Sequence, residues 1–242
     1  MSFLTINGVS KSFGGLQALR DISFDVEQQE VVGLMGANGA GKTTLFSLIA
    51  GHSRPSLGSI HFKGRPIAAL RPDHICRQGI ARTFQIVRPF ANMTVLDNVI
   101  VGALYGVRQE RSTARAAASA MDILADLNLA NRADDPASSL TLSGQKRLEI
   151  ARALATGPEL LMLDEVMAGL TATEVSELLD SIRRIKRRMS LTILMVEHVM
   201  QALMRLSDRV MVLHHGELIA QGKPQEIVAD PKVIAAYLGP ST

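Results

Sequence analysis

Residues 36–43 read Gly-Ala-Asn-Gly-Ala-Gly-Lys-Thr and follow directly on the apolar run Val31-Val32-Gly33-Leu34-Met35. A G-x-x-x-x-G-K-[ST] stretch between a strand and a helix leaves few folds open. Gly36, Gly39 and Gly41 admit backbone angles that turn successive N–H groups inward, making a concave anion nest. A helix opening at Gly41 adds its positive N-terminal end to the same spot, so the loop Gly36, Ala37, Asn38, Gly39, Ala40 and Gly41 reads as a phosphate cradle. Lys42 is expected to reach the β- and γ-phosphates of a nucleotide and the Thr43 hydroxyl to bind Mg²⁺, with Thr44 completing the loop.

The rest of the chain agrees with a sheet core. Leu160-Leu161-Met162-Leu163, Ile193-Leu194-Met195-Val196 and Val210-Met211-Val212-Leu213 are continuous apolar runs. Such runs suit strands of a parallel sheet buried on both faces by helices. Thr171-Ala172-Thr173-Glu174 has the form of a capping box. Val175, Leu178, Leu179, Ile182, Ile185 and Met189 then fall on one helical face, and the helix ends in a basic turn, Lys186-Arg187-Arg188. Leu4–Val9, Ile22–Val26 and Ser59–Phe62 instead alternate apolar with polar, the pattern of antiparallel strands with one wet face. Val95 to Leu129 is helical and rich in alanine. The expectation is one α/β unit over 1–242, with an antiparallel β subdomain drawn from about 1–30 and 57–70 and a helical subdomain at about 86–140.

Composition excludes several classes. With 242 residues, 47% hydrophobic and 20% charged, the chain is an ordinary globular one. A net charge of +3 is too small to argue for nucleic acid. The longest apolar stretch, Val99 to Val107, is far short of the ~18–20 residues that span a bilayer. The start, Met1-Ser2-Phe3-Leu4-Thr5, lacks the form of a secretory signal. The lone Cys76 can form neither an internal disulfide nor a metal cluster by itself. The expectation is a soluble, intracellular chain that works at a membrane only through partners.

A nucleotide site needs carboxylates, and Leu160–Leu163 ends in Asp164-Glu165. Burying an unpaired charge is expensive, so both are expected to emerge at the strand's C-terminal edge, where α/β sheets bind ligands. Asp164 is placed to hold Mg²⁺, and Glu165 to take a proton from an attacking water.

Leu142-Ser143-Gly144-Gln145, ahead of Lys146-Arg147-Leu148-Glu149-Ile150-Ala151-Arg152-Ala153-Leu154, resembles the signature of ABC-type ATPases. Physically, Ser143 is expected to cap a helix whose N-terminus and Gly144 amide can face a phosphate. The resemblance covers nearly the whole chain and implies further roles. Gln85 matches the glutamine that contacts Mg²⁺ and the attacking water. His198 matches the switch histidine at the γ-phosphate, and Phe13 the aromatic on which adenine stacks. Thr43, Gln85 and Asp164 are thereby the expected Mg²⁺ set, and Ser143, Gly144 and Gln145 the signature contacts to ATP. After Glu165 the run Val166-Met167-Ala168-Gly169-Leu170-Thr171 departs from the family, which often has proline next and closes the loop with aspartate.

Phe13–Leu19, Arg82-Thr83-Phe84-Gln85, Met93–Val99, Ala168-Gly169-Leu170 and the ending Tyr237-Leu238-Gly239 resemble the ATP-binding subunits of branched-chain amino-acid importers. In such proteins two copies, identical or paralogous, associate head to tail. The signature of one then completes the site of the other. What the resemblance implies is ATP hydrolysis with Mg²⁺ at the cytoplasmic face of the plasma membrane. The expected partners are two membrane permeases and an extracytoplasmic binding protein, with no nucleic acid. A lipid or other exporter is the alternative. A soluble ATPase acting on ribosomes or DNA is less well matched, because such proteins usually carry two fused cassettes or long coiled-coil insertions.

Overall fold

The structure is a computed structural model that describes residues 2–85, 87–107 and 109–238. Two residues named above, Ile86 at the start of the expected helical subdomain and Gly239 of the C-terminal tripeptide, lie outside these. The chain divides into two compact units, Met1–Pro72 with Leu194–Thr242, and Asp73–Ile193.

The first unit opens with a hairpin of β1 (Leu4–Phe13) and β2 (Leu16–Val26), followed by β3 (Val31–Met35), α1 (Lys42–Ile49), β4 (Leu57–Phe62) and β5 (Arg65–Pro66). Alternation dictates the first sheet. Leu4, Ile6 and Val9 are buried while Asn7 is exposed. Their partners, Ile6↔Phe24 and Val9↔Ile22 on β2 and Ile6↔Ile60 on β4, bring apolar groups to the same face. The sheet is antiparallel in the order β2-β1-β4-β5, as the sequence pattern predicts. Phe13 pairs with Leu16 across a two-residue turn, where Gly14 takes the positive φ of 56° that a tight hairpin requires.

The second unit contains α2 (Pro72–Gln78), whose first residue closes the first unit, then β6 (Ile80–Arg82), α3 (Val95–Tyr105), α4 (Thr113–Asp126), α5 (Leu142–Ala155), β7 (Leu160–Asp164) and α6 (Ala172–Met189). Strand β6 runs parallel to β7, with Ile80 opposite Leu160 and Arg82 opposite Met162. The short strand β6 is absent from the sequence reading, since three residues are too few to show a period. Helices α3 and α4 are capped by Thr94 and Ser112, whose side chains accept from Asp97 N and Arg115 N. Gly102 lets α3 lie close to α5, because a Cβ there would meet the Arg152 carbonyl oxygen at 2.5 Å. The capping box at Thr171 is formed, and Ser190 ends α6 in the left-handed region.

Strand β8 (Thr192–Val196) crosses the division, and the first unit resumes with α7 (Met200–Leu206), β9 (Arg209–His214), β10 (Glu217–Gly222), α8 (Pro224–Ala229) and α9 (Pro231–Leu238). Strand β3 is parallel to β9, and all five β3 residues are buried. Met35, Val210 and Val212 pack with Leu203 of α7, Ile227 of α8 and Val233 of α9. The continuous apolar runs thus become doubly covered strands, as expected.

Candidate functional site

The phosphate loop lies in the first unit, between β3 and α1. Gly39 and Gly41 take φ of 80° and 107°, and Ala40 N–H closes a turn onto the Ala37 carbonyl at 3.1 Å. A Cβ on Gly41 would come within 2.6 Å of Leu19 Cδ2 and 2.8 Å of the Ala18 carbonyl. One on Gly36 would collide with the Leu213 carbonyl of β9. The glycines are therefore required by the packing around the loop as well as by its shape. Helix α1 begins with no side-chain cap and no acidic residue in its first turn, leaving its N-terminal amides to an anion. Lys42 is 5% exposed, and its ammonium donates to the Gly36 carbonyl at 2.7 Å and the Ala37 carbonyl at 3.1 Å. Ala37, Asn38, Gly39 and Thr43 are exposed.

Two more expected residues sit in this unit. Phe13 closes β1 with half its surface open, 51%, and the Lys11 ammonium lies 4.7 Å from its ring centroid. An exposed aromatic at a hairpin tip can stack on a planar base. His198 is exposed in the turn between β8 and α7.

The carboxylates belong to the second unit, and their environment corrects the sequence expectation. Asp164 and Glu165 stand at the C-terminal end of β7 but do not emerge into solvent, being only 2% and 8% exposed. What makes burial affordable is pairing. Arg82 Nη2 lies 2.6 Å from Asp164 Oδ2, and Gln85 Nε2 donates to Glu165 Oε2 at 2.6 Å. The Thr83 hydroxyl accepts from Asp164 N–H at 3.0 Å, fixing the strand end. Glu165 itself has φ of 51°, a left-handed backbone uncommon for a side-chain-bearing residue. The geometry brings the expected Gln85 and Glu165 into direct contact.

Helix α5 carries the signature, and here the structure overturns the cap assignment. The cap is Thr141, whose hydroxyl accepts from Gly144 N–H at 3.3 Å. Ser143 is inside the first turn and 7% exposed, and the Gly144 amide is already engaged by Thr141. Both Thr141 and Ser143 satisfy the cap preference in sequence, so the pattern alone did not separate them. Gln145 Nε2 donates to the Leu140 carbonyl at 3.1 Å.

Three residues that sequence reasoning missed complete this unit. Lys146 is 4% exposed and donates to the Gln85 carbonyl at 3.0 Å and the Glu165 carbonyl at 3.2 Å. Glu149 accepts from Phe84 N–H, while its second oxygen is buried without a hydrogen-bond partner among the described residues. Burial pushes the Glu149 carboxyl above its usual range, against the Phe84 N–H and the cations of Arg152 and Lys146. Arg82 is the third, and nothing local marks it as a partner for Asp164. Across the departing loop, Val166 and Met167 are buried and Thr171 caps α6. The Thr171 N–H and hydroxyl hold the Glu174 carboxyl below its usual range.

Among the described residues no group of three or more His, Cys, Asp or Glu side chains is gathered to hold a metal ion. The Thr43 hydroxyl of the first unit, and the Gln85 amide oxygen and Asp164 carboxylate of the second, are each hard oxygen donors of the kind Mg²⁺ takes, the carboxylate being paired with Arg82.

Residues 19–168 match the family described as ABC transporter, and residues 217–239 the family described as branched-chain amino acid ATP-binding cassette transporter. The high-affinity branched-chain amino acid transport ATP-binding protein LivG of Salmonella typhimurium is 40% identical over 248 residues, spanning 98% of this chain and 97% of the relative. BraF of Pseudomonas aeruginosa, of the same description, is 38% identical over the same shares. Among solved structures, a nucleotide-free ATP-binding cassette from an ABC transporter superposes with a TM-score of 0.88 at 28% identity, over 98% of this chain and 99% of that one. A structure of an ATP-binding cassette of an ABC transporter in its ADP conformation gives 0.87 at 29% identity, over 99% of each chain.

Proposed function

The chain belongs to the ABC transporter family of ATP-binding cassettes, and from that premise we propose that it powers an importer of branched-chain amino acids by hydrolysing ATP. The observation that carries the substrate class is the end-to-end match to branched-chain transport ATP-binding proteins, including the C-terminal segment 217–239. No helix among the described residues is long and apolar enough to cross a membrane. In this proposal passage of the amino acid falls to partners: two membrane permeases, fed by an extracytoplasmic binding protein, with this chain at their cytoplasmic face. Selectivity among amino acids resides in those partners.

In this reading the amides of Gly36–Gly41 and Thr44 cradle the phosphates, Lys42 neutralises the β- and γ-oxygens, and Phe13 stacks on adenine. Thr43, Gln85 and Asp164 hold Mg²⁺, which when bound offsets charge on the phosphate oxygens. Glu165 accepts the proton of the attacking water, Gln85 orients that carboxylate, and His198 contacts the γ-phosphate. Ser143, Gly144 and Gln145 at the start of α5 meet the ATP of a second subunit, so that two subunits share two nucleotides. The domain boundaries read from sequence, with helical elements at about 86–140 serving the permease contact, belong to the same proposal.

Glu165→Gln is the test. The amide keeps the shape and the hydrogen bond to Gln85 but cannot take a proton. Turnover is expected to fall about 10²–10⁴-fold, while ATP still binds and holds two subunits together in size-exclusion chromatography. Near-normal turnover removes Glu165 from the role of base. For the substrate class, the complex reconstituted in vesicles should show ATPase stimulation by leucine, isoleucine or valine with the binding protein. Stimulation by polar amino acids alone overturns that assignment.

A further inference from the structure

Lys146 is a buried cation that the reaction outlined above leaves unused. It sits on α5, five residues after the Thr141 cap, with 4% of its surface exposed. Its ammonium donates to two main-chain carbonyls, those of Gln85 and Glu165, 61 and 19 residues away. An ammonium removed from water needs such acceptors, and this one bridges two carbonyls that lie just beyond the paired ends of β6 and β7. The same two residues also meet through their side chains, Gln85 Nε2 to Glu165 Oε2 at 2.6 Å. Lys146, Gln85 and Glu165 therefore close a ring of backbone and side-chain bonds. Within that ring Glu165 is held at φ 51°. A left-handed backbone on such a residue is strained and persists only where its surroundings over-determine it.

We propose that Lys146 is a positioning residue for hydrolysis: by clasping both carbonyls it fixes the Glu165 carboxylate and the Gln85 amide in one arrangement and ties them to the signature helix α5. The proposal rests on Glu165 being the base. Glu149, one turn further along α5, takes the Phe84 N–H, so the helix grips the Phe84-Gln85 segment that follows β6 at two adjacent backbone sites. A shift of α5 at its capped end is thereby transmitted to the base without any contact between Lys146 and the nucleotide.

The experiment is steady-state ATP hydrolysis by the assembled complex carrying Lys146→Met, which keeps the apolar stem and removes the three donors. Loosening the base should lower kcat about 10- to 100-fold, with the KM for ATP unchanged because the phosphate loop is intact. Lys146→Arg, which restores donors, should recover most of the loss. In a Glu165→Gln background Lys146→Met should cause no further fall, since both act through one group. A raised KM at normal kcat, a full multiplicative loss in the double variant, or wild-type kcat in Lys146→Met each overturns the proposal. Should Lys146→Met not fold, Lys146→Gln, with a shorter stem and an amide donor, is run through the same comparisons. A wild-type rate in Glu165→Gln sinks the underlying reading. Collapse there with a normal Lys146→Met sinks only the clasp.

Discussion

At the scale of single residues, Glu149 carries the most direct consequence for stability. Its carboxyl is 7% exposed, and one of its oxygens has no hydrogen-bond partner among the described residues. Burial raises its pKa above the usual 4.5, so the folded chain holds the proton more tightly than the unfolded one. Between 4.5 and the raised folded value, the folded state binds more protons and stability falls as pH rises. Above the folded value the penalty is fully present, and on acidification it is relieved. Glu149→Gln keeps an acceptor for the Phe84 N–H but has no charge to bury. Urea unfolding across the weakly acidic range should show the variant losing less stability with rising pH than the wild type. Parallel curves for the two proteins would contradict a buried, penalised carboxylate. Asp164, by contrast, is buried with its charge compensated by Arg82 at 2.6 Å rather than left alone.

At the scale of elements, the β3–loop–α1 segment shows how packing and chemistry constrain the same atoms. Gly36 is tight because β9 passes behind it, whereas Gly39 has nothing within 4 Å of its would-be Cβ. Gly36→Ala should therefore cost about 1–3 kcal/mol through overpacking and displace the cradle, weakening ATP binding. Gly39→Ala meets no atom and bears only the strain of its positive φ, about 1–2 kcal/mol. Thermal melts with and without ATP separate the two: the ATP-induced rise in Tm should shrink more for Gly36→Ala than for Gly39→Ala. An equal rise in both would mean that the Leu213 carbonyl yields. Helix α5 is the complementary element. Its Thr141 cap, its buried Lys146 and its buried Glu149 follow one another along its first half, so little of that half is free to change independently.

At the scale of the whole molecule, the proposed reaction is a property of two chains. In the proposed reaction the α1 N-terminus of one chain and the α5 N-terminus of its partner present positive ends of helix dipoles, and the triphosphate bound by both draws the two chains together. Specific activity of the purified chain should consequently fall on dilution, approaching a rate per chain proportional to chain concentration. Activity unchanged by dilution, down to concentrations where sedimentation finds only single chains, would mean that one chain suffices.

Sequence by itself determined what depends on neighbours along the chain. The phosphate loop is eight consecutive residues, the buried strands are short unbroken apolar runs, and the Thr171–Glu174 capping box spans one helical turn. Each is held by forces acting within a few residues, so pattern and spacing suffice to read it. Tertiary structure alone decided that Asp164 and Glu165 are buried, because the groups that compensate them, Arg82 and Gln85, come from 82 and 80 residues away. It also decided which of two hydroxyls caps α5, and that Lys146 points inward to two carbonyls instead of to solvent. A buried polar group is stable only with partners, and no period or propensity along the chain specifies partners that folding alone delivers.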